Sequence, residues 1–183
     1  RDFREPVSAT TINNYIRNLR AFFNWYAEEN GQGNPMKKIR QLENERRAKE
    51  YMDDMEVKRL LDNLDKSYFP ESRDFTVIFL ILDTGMRLGE CLSLTEDMVN
   101  ITESTIQIPA GITKGRKNRT VFFSLKSARM LQRWLRFKDR YIETNNLFPI
   151  KSTGLPVAIG TFETNFRNYV HRAGIAKNVS PHA

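Results

Sequence analysis

FTVIFLILDTGMRLGECLSL, residues 75–94, is the stretch on which the fold turns. Its first part belongs to residues 72–82, nearly continuous apolar and unbroken from Val77 to Leu82, which read as a central buried helix. Thr84-Gly85 breaks that helix, and a second apolar helix resumes through about Leu94. Between the two stands Arg87. A guanidinium keeps its charge at any pH a protein meets, so against apolar walls it must find an anion. Glu90, one helical turn on, is one candidate, and a phosphate from outside the chain is the other.

Working outward, composition narrows the choices. The chain has 183 residues, 40% of them apolar and 11% aromatic, enough for a hydrophobic core and too many for a disordered chain. A formal net charge of +7 points to a polyanionic partner, nucleic acid first and an acidic membrane surface second. Val77–Leu82 is the longest purely apolar run and is far too short to span a bilayer, and no secretory signal pattern precedes it. The single cysteine, Cys91, excludes an internal disulfide and a cysteine-based zinc site; on an apolar stretch it reads as packing. His171 and His182 have no clustered ligand spacing, so a structural metal is not expected. The chain begins at an arginine and ends in NVSPHA, where Ser180 suits an N-cap and Pro181 the first helical position. A helix start in that place leads to the expectation that the natural chain continues.

Two units follow from the periodicity. Ile12, Tyr15, Ile16, Leu19, Phe22, Phe23 and Tyr26 recur at helical spacing, with Ser8 or Thr10 to cap the start and Gly31 and Gly33 to end the helix. Residues 37–50 are highly charged and read as a linker or a solvated helix. Residues 1–46 therefore read as the C-terminal part of a helical domain, and residues 47–183 as a second one. In the second, Asp53 and Glu56 form a capping-box pattern before Val57, Leu60, Leu61 and Leu64. STIQIPAGITKGRKNRTVFFS, residues 104–124, switches to alternation and predicts an antiparallel hairpin. Ser124 caps a further helix carrying Ala128, Leu131, Trp134 and Leu135, and Thr161 starts the last one, closed by Gly174. The fold class is mainly α with a small antiparallel sheet, α+β.

Charge is unevenly placed. No acidic residue occurs between Glu103 and Asp139, while that segment holds nine basic ones. On its helix these read either as a solvated face or as phosphate contacts. In TKGRKNR, four like charges crowd one tip and repel unless something negative comes between them, which suits a phosphate backbone. Gly115 there permits a close backbone approach. Arg116, Lys117 and Arg119 are the DNA-binding candidates, with Lys37 and Lys38 at the start of the charged segment.

An apolar helix, then TGMRLGE, then TKGRKNRTVFF, then a late SPHA: in that order the motifs resemble the tyrosine recombinase (phage integrase) family. The resemblance covers nearly the whole chain. TTINNYIRNLRAFFNWYAEENGQGNPMKKI is similar to the end of that family's helical core-binding domain, and residues 51–183 to most of its catalytic domain. It implies DNA breaking and rejoining through a covalent 3′-phosphotyrosyl intermediate, without metal or nucleotide. Arg87 takes the place of the first of the family's two catalytic arginines, and Glu90 becomes a supporting group. Lys114 takes the place of the hairpin lysine that protonates the leaving 5′-oxygen. His182 takes that of the histidine in His-x-x-Arg.

The sequence also departs from the family pattern. The second arginine belongs three residues after His182, with the tyrosine nucleophile beyond it, whereas all six tyrosines (15, 26, 51, 68, 141 and 169) precede it. The expectation is a fragment that binds DNA without cleaving it. The implied partners are double-stranded DNA and further copies of itself, as a tetramer on paired sites when complete. A directionality factor is a further implied partner, no membrane is involved, and the setting is a bacterial cytoplasm, at the nucleoid. A non-catalytic DNA-binding or architectural module is the rival reading, and a type IB topoisomerase is a third.

Overall fold

The computed structural model describes residues 7–43, 50–113 and 115–181. The chain divides into two compact units, Arg1–Ala48 and Lys49–Ala183.

The first unit is built on one helix, α1 (Ala9–Asn30). Of the two expected caps Ser8 is used, its side chain accepting from the Thr11 amide, and Gly31 closes the helix at φ +61°. A 3₁₀ turn, Pro35–Lys38, folds back so that Met36 is buried and Asn13 exchanges two hydrogen bonds with the Leu42 backbone, 2.9 and 2.8 Å. Only Ile16 of α1 is buried, while Tyr15, Phe22 and Trp25 are 60, 51 and 55% exposed.

The second unit holds five helices and the sheet among the described residues. In α2 (Asp54–Asp62) the predicted capping box forms: Asp53 accepts from the Glu56 amide and Glu56 from the Asp53 amide, 2.8 and 2.9 Å. The central helix α3 (Phe69–Thr84) is longer than its apolar run suggested. Its first half buries Glu71, Arg73 and Asp74 beside the apolar Val77, Ile78 and Leu80 of its second half. Those charges find distant partners. Arg73 donates to Asp74 at 2.8 Å and to the Pro149 carbonyl at 3.2 Å, and Asp74 accepts from Asn165 and Tyr169 at 3.0 and 2.8 Å. Glu71 receives both terminal nitrogens of Arg172.

Gly85, at φ +64°, ends α3 in a left-handed turn, which is why Thr84-Gly85 breaks the apolar run. The helix after it, α4 (Leu88–Leu92), is shorter than expected. A three-stranded antiparallel sheet follows in sequence order: β1 (Val99–Asn100), β2 (Thr105–Ile108) and β3 (Arg119–Phe122). Ile106 faces Val121 and Ile108 faces Arg119 in the expected hairpin.

Helix α5 (Leu125–Lys138) starts at Ser124 as predicted and packs antiparallel to α3. Asp83, at the end of α3, fixes the start of α5 by accepting from the Ser124 amide and the Ser127 hydroxyl, 2.7 and 2.6 Å. Trp134 of α5 is 2% exposed, packs between Phe69 and Phe148, and donates to the Leu147 carbonyl at 2.8 Å. The last helix, α6 (Ile159–Arg172), begins two residues before Thr161. It has no side-chain cap, so the Thr161 signal misplaced its start.

Candidate phosphate-binding site around Glu90

The turn after α3 places Arg87 at the N-cap of α4, with Glu90 one turn on. The pair is real. Glu90 accepts from the Arg87 amide at 3.2 Å and from its Nη1 at 3.1 Å, so it both caps the helix and holds the side chain. Sequence reasoning gave Glu90 one partner, and the structure gives it two. Arg119, the first residue of β3, donates at 2.6 Å to Oε2, the same oxygen that accepts from the Arg87 amide.

The side chain of Glu90 is 2% exposed, those of Arg87 and Arg119 are 58 and 40% exposed. One buried carboxylate therefore anchors two guanidiniums whose remaining donors face outward, and the cluster keeps a net positive charge. Burial pushes the Glu90 carboxyl up, but the hydrogen bonds from Arg87 and Arg119 outweigh it and hold the group below the ordinary carboxylate range. The pair inside the chain and an external phosphate are thus compatible: Glu90 occupies one edge of each fork and leaves the others for an anion. Beside Arg87 lies an apolar cleft lined by Met52, Ile81, Leu82, Met86, Phe162 and Pro181.

The loop joining β2 to β3 is built on itself. Buried Thr113 accepts from the Lys117 amide at 3.1 Å, and Asn118 accepts from the Ala110 amide at 2.7 Å. The left-handed residue of the loop is Arg116, at φ +49°. Nothing lies within 4 Å of a Cβ built on Gly115, which leaves that edge of the loop open. Arg116 and Lys117 are exposed. Lys114, between Thr113 and Gly115, and His182 lie outside the described residues, so the structure brings together Arg87, Glu90 and Arg119 of the predicted set. Lys37 and Lys38 are exposed on the 3₁₀ turn of the first unit.

Two of the tyrosines are held in the core of the second unit or against it. The Tyr169 hydroxyl donates to Asp74, and burial followed by that carboxylate pushes its phenol well up. Tyr141 packs against Phe69 and Phe137 under the Lys151 ammonium. Burial likewise raises the Cys91 thiol, which is inert packing as its setting implied. Among the described residues no cluster of three or more His, Cys, Asp or Glu could hold a metal, and no helix is long and apolar enough to cross a membrane.

The chain is similar to several characterised proteins. Tyrosine recombinase XerC of Proteus mirabilis is 26% identical over 166 residues, covering 90% of this chain and 53% of that protein. The tyrosine recombinase of Thermosipho africanus is 29% identical over 180 residues, covering 97% of this chain and 60% of its own length. The chain thus spans little more than half the length of these relatives. Two solved structures share the fold. The Tn1549 transposon integrase in complex with circular intermediate DNA matches at TM-score 0.76 and 18% identity, over 97% of this chain and 64% of that one. XerH site-specific recombinase bound to palindromic difH substrate matches at TM-score 0.73 and 20% identity, over 96% and 54%. Residues 50–183, which carry the Arg87–Glu90–Arg119 cluster and the hairpin, match the Phage integrase family, and on that match the chain belongs to it.

Proposed function

We propose that the chain is the DNA-holding part of a tyrosine recombinase, with the Glu90 cluster as the seat of the phosphate to be cut. One observation carries this reading: a buried carboxylate presents two guanidiniums side by side and leaves them with surplus positive charge. Attack on a phosphodiester builds negative charge on its non-bridging oxygens, and preorganised forks match that charge without reorganising. Arg87 takes the catalytic role. In the reaction a tyrosine oxygen bonds to phosphorus, the bond to the 5′-oxygen breaks, and Lys114 supplies that oxygen with its proton. His182 assists at the phosphate, and no metal takes part.

Membership of the family supports the other parts of the reading. Residues 1–46 are the end of a core-binding domain, with Lys37 and Lys38 on the DNA backbone, and residues 47–183 belong to the catalytic domain. Arg116 and Lys117 grip phosphates flanking the one held by Arg87. The complete protein works as a tetramer on paired duplex sites at a bacterial nucleoid, with a directionality factor as a further partner. The 183 residues alone bind duplex DNA and form no covalent adduct, because no tyrosine among them serves as nucleophile.

The test has two parts. Incubated with a nicked duplex, the 183-residue chain should shift it on a native gel and leave no adduct on a denaturing one. A protein–DNA adduct would overturn the second claim, and failure to shift any duplex would overturn the first. In the complete protein, Arg87→Ala should abolish cleavage and leave most DNA binding. Loss of binding in proportion to cleavage would favour an architectural module.

A further inference from the structure

We propose that the exposed face of α5 is a second contact surface for duplex DNA, distinct from the Glu90 site; this rests on the reading that the chain binds DNA. Lys126, Arg129, Arg133, Arg136 and Arg140 follow one another at intervals of three, four, three and four residues. That is the spacing of one helical face, so the cations form a single stripe. From Lys126 to Arg136 it runs about 15 Å, and Arg140 stands in the turn just past the end of the helix.

The helix sorts its cations. Lys138 is 1% exposed and paired with Glu96 and Asp139. The five stripe residues are exposed, and none makes an ion pair or side-chain hydrogen bond among the described residues. The opposite face, with Ala128, Leu131 and Trp134, is fully used by the core, so the stripe is not turned outward for want of room. At its C-terminal half the stripe borders a cleft with an apolar floor, whose polar lining is Lys66, Ser72, Thr76, Arg133, Arg136 and Arg140, with no carboxylate. Lys66 there sits 4.4 Å over the ring of Phe75, adding a sixth cation from outside the helix.

A row of like charges with no internal counter-ion is complementary to a polymer that carries charge at regular intervals. Duplex DNA presents one phosphate about every 3.4 Å along each strand. A stripe of this length exceeds the roughly 12 Å width of the major groove and can touch the backbone on both rims. An acidic protein segment would meet the same charge, but nothing in an irregular row of carboxylates requires a straight stripe.

The experiment measures binding of the 183-residue chain to a random-sequence duplex of about 30 base pairs by fluorescence anisotropy over a series of salt concentrations. Arg129→Gln/Arg133→Gln/Arg136→Gln should flatten the plot of log affinity against log salt by about 2.7, roughly 0.9 per lost contact, and weaken binding at least tenfold. Lys58→Gln/Arg59→Gln/Arg167→Gln removes the same charge from exposed positions off the stripe and should leave the slope nearly unchanged. Equal slopes for the two triple variants would overturn the α5 surface while leaving the recombinase reading intact. Absence of wild-type duplex binding would overturn both. If the α5 variant loses affinity for polyglutamate while keeping its DNA slope, the face belongs to an acidic protein and the proposal is wrong.

Discussion

Arg119 and Glu90 meet at 2.6 Å across 29 positions of sequence, tying the first residue of β3 to the first turn of α4. Through that bond, the carboxylate that orients Arg87 also fixes the root of the loop bearing Lys114, Arg116 and Lys117. The two sides of the candidate site are therefore set by one buried group.

Replacing that group should be felt on both sides. Glu90→Gln keeps the shape but leaves two guanidiniums facing each other without a counter-charge, and should cost about 1–2 kcal/mol of stability, since both arginines are partly hydrated. Arg87→Gln should cost less than about 1 kcal/mol, because Arg87 is more than half exposed and Arg119 remains to pair Glu90. Urea unfolding of the three proteins would rank them, and a larger loss for Arg87→Gln would contradict the shared-anchor geometry.

The same carboxylate makes a pH prediction. Its folded-state pKa lies below the ordinary value, so its contribution is fully present above about pH 4.3 and is lost as pH falls through the depressed folded value. The stability gap between wild type and Glu90→Gln should be constant near neutrality and narrow below about pH 4. Denaturant titrations at a series of pH values read this directly. A gap that widened on acidification would reverse the sign.

Within α3 the heavier penalty belongs to Asp74. Asp74→Ala strands the Arg73 guanidinium, 4% exposed, without its anion and should cost about 3–5 kcal/mol. Tyr169→Phe removes one of several donors to Asp74 and should cost only about 1 kcal/mol. It should also leave DNA binding unchanged, because the Tyr169 hydroxyl is spent on Asp74 inside the core. A Tyr169→Phe protein that lost duplex binding would refute this placement.

Arg116 sits where glycine would be easier. Arg116→Gly should relieve a left-handed cost of about 1–2 kcal/mol, partly offset by the greater chain entropy of glycine, so stability should hold or rise slightly. Duplex affinity should fall, with the salt slope shallower by about 0.9. Thermal unfolding and salt-dependent anisotropy would show the two quantities moving apart.

What the sequence revealed depended on range. The caps at Ser8, Asp53 and Ser124 and the hairpin around TKGRKNR are local patterns, written within a few residues, and each formed as read. The α3 cluster was illegible because Glu71, Arg73 and Asp74 complete their bonds with Arg172, Pro149 and Tyr169, on elements 76 to 101 positions away. Arg119 was visible as a basic residue, but its pairing with Glu90 depends on how β3 lies against α4. The α5 stripe was present in the spacing all along; a run of charge conceals a period unless the register of the buried Leu131 and Trp134 is laid beside it.

The two tryptophans occupy opposite environments, one in each unit: Trp25 is 55% exposed on α1 and Trp134 is 2% exposed in the core around α3. Their indoles should emit at different wavelengths, red-shifted in water and blue-shifted in the core. Trp25→Phe would leave a single optical reporter of melting in the second unit. Trp134 would be the harder one to replace, so the informative spectrum is the one obtained by silencing the solvent-facing ring.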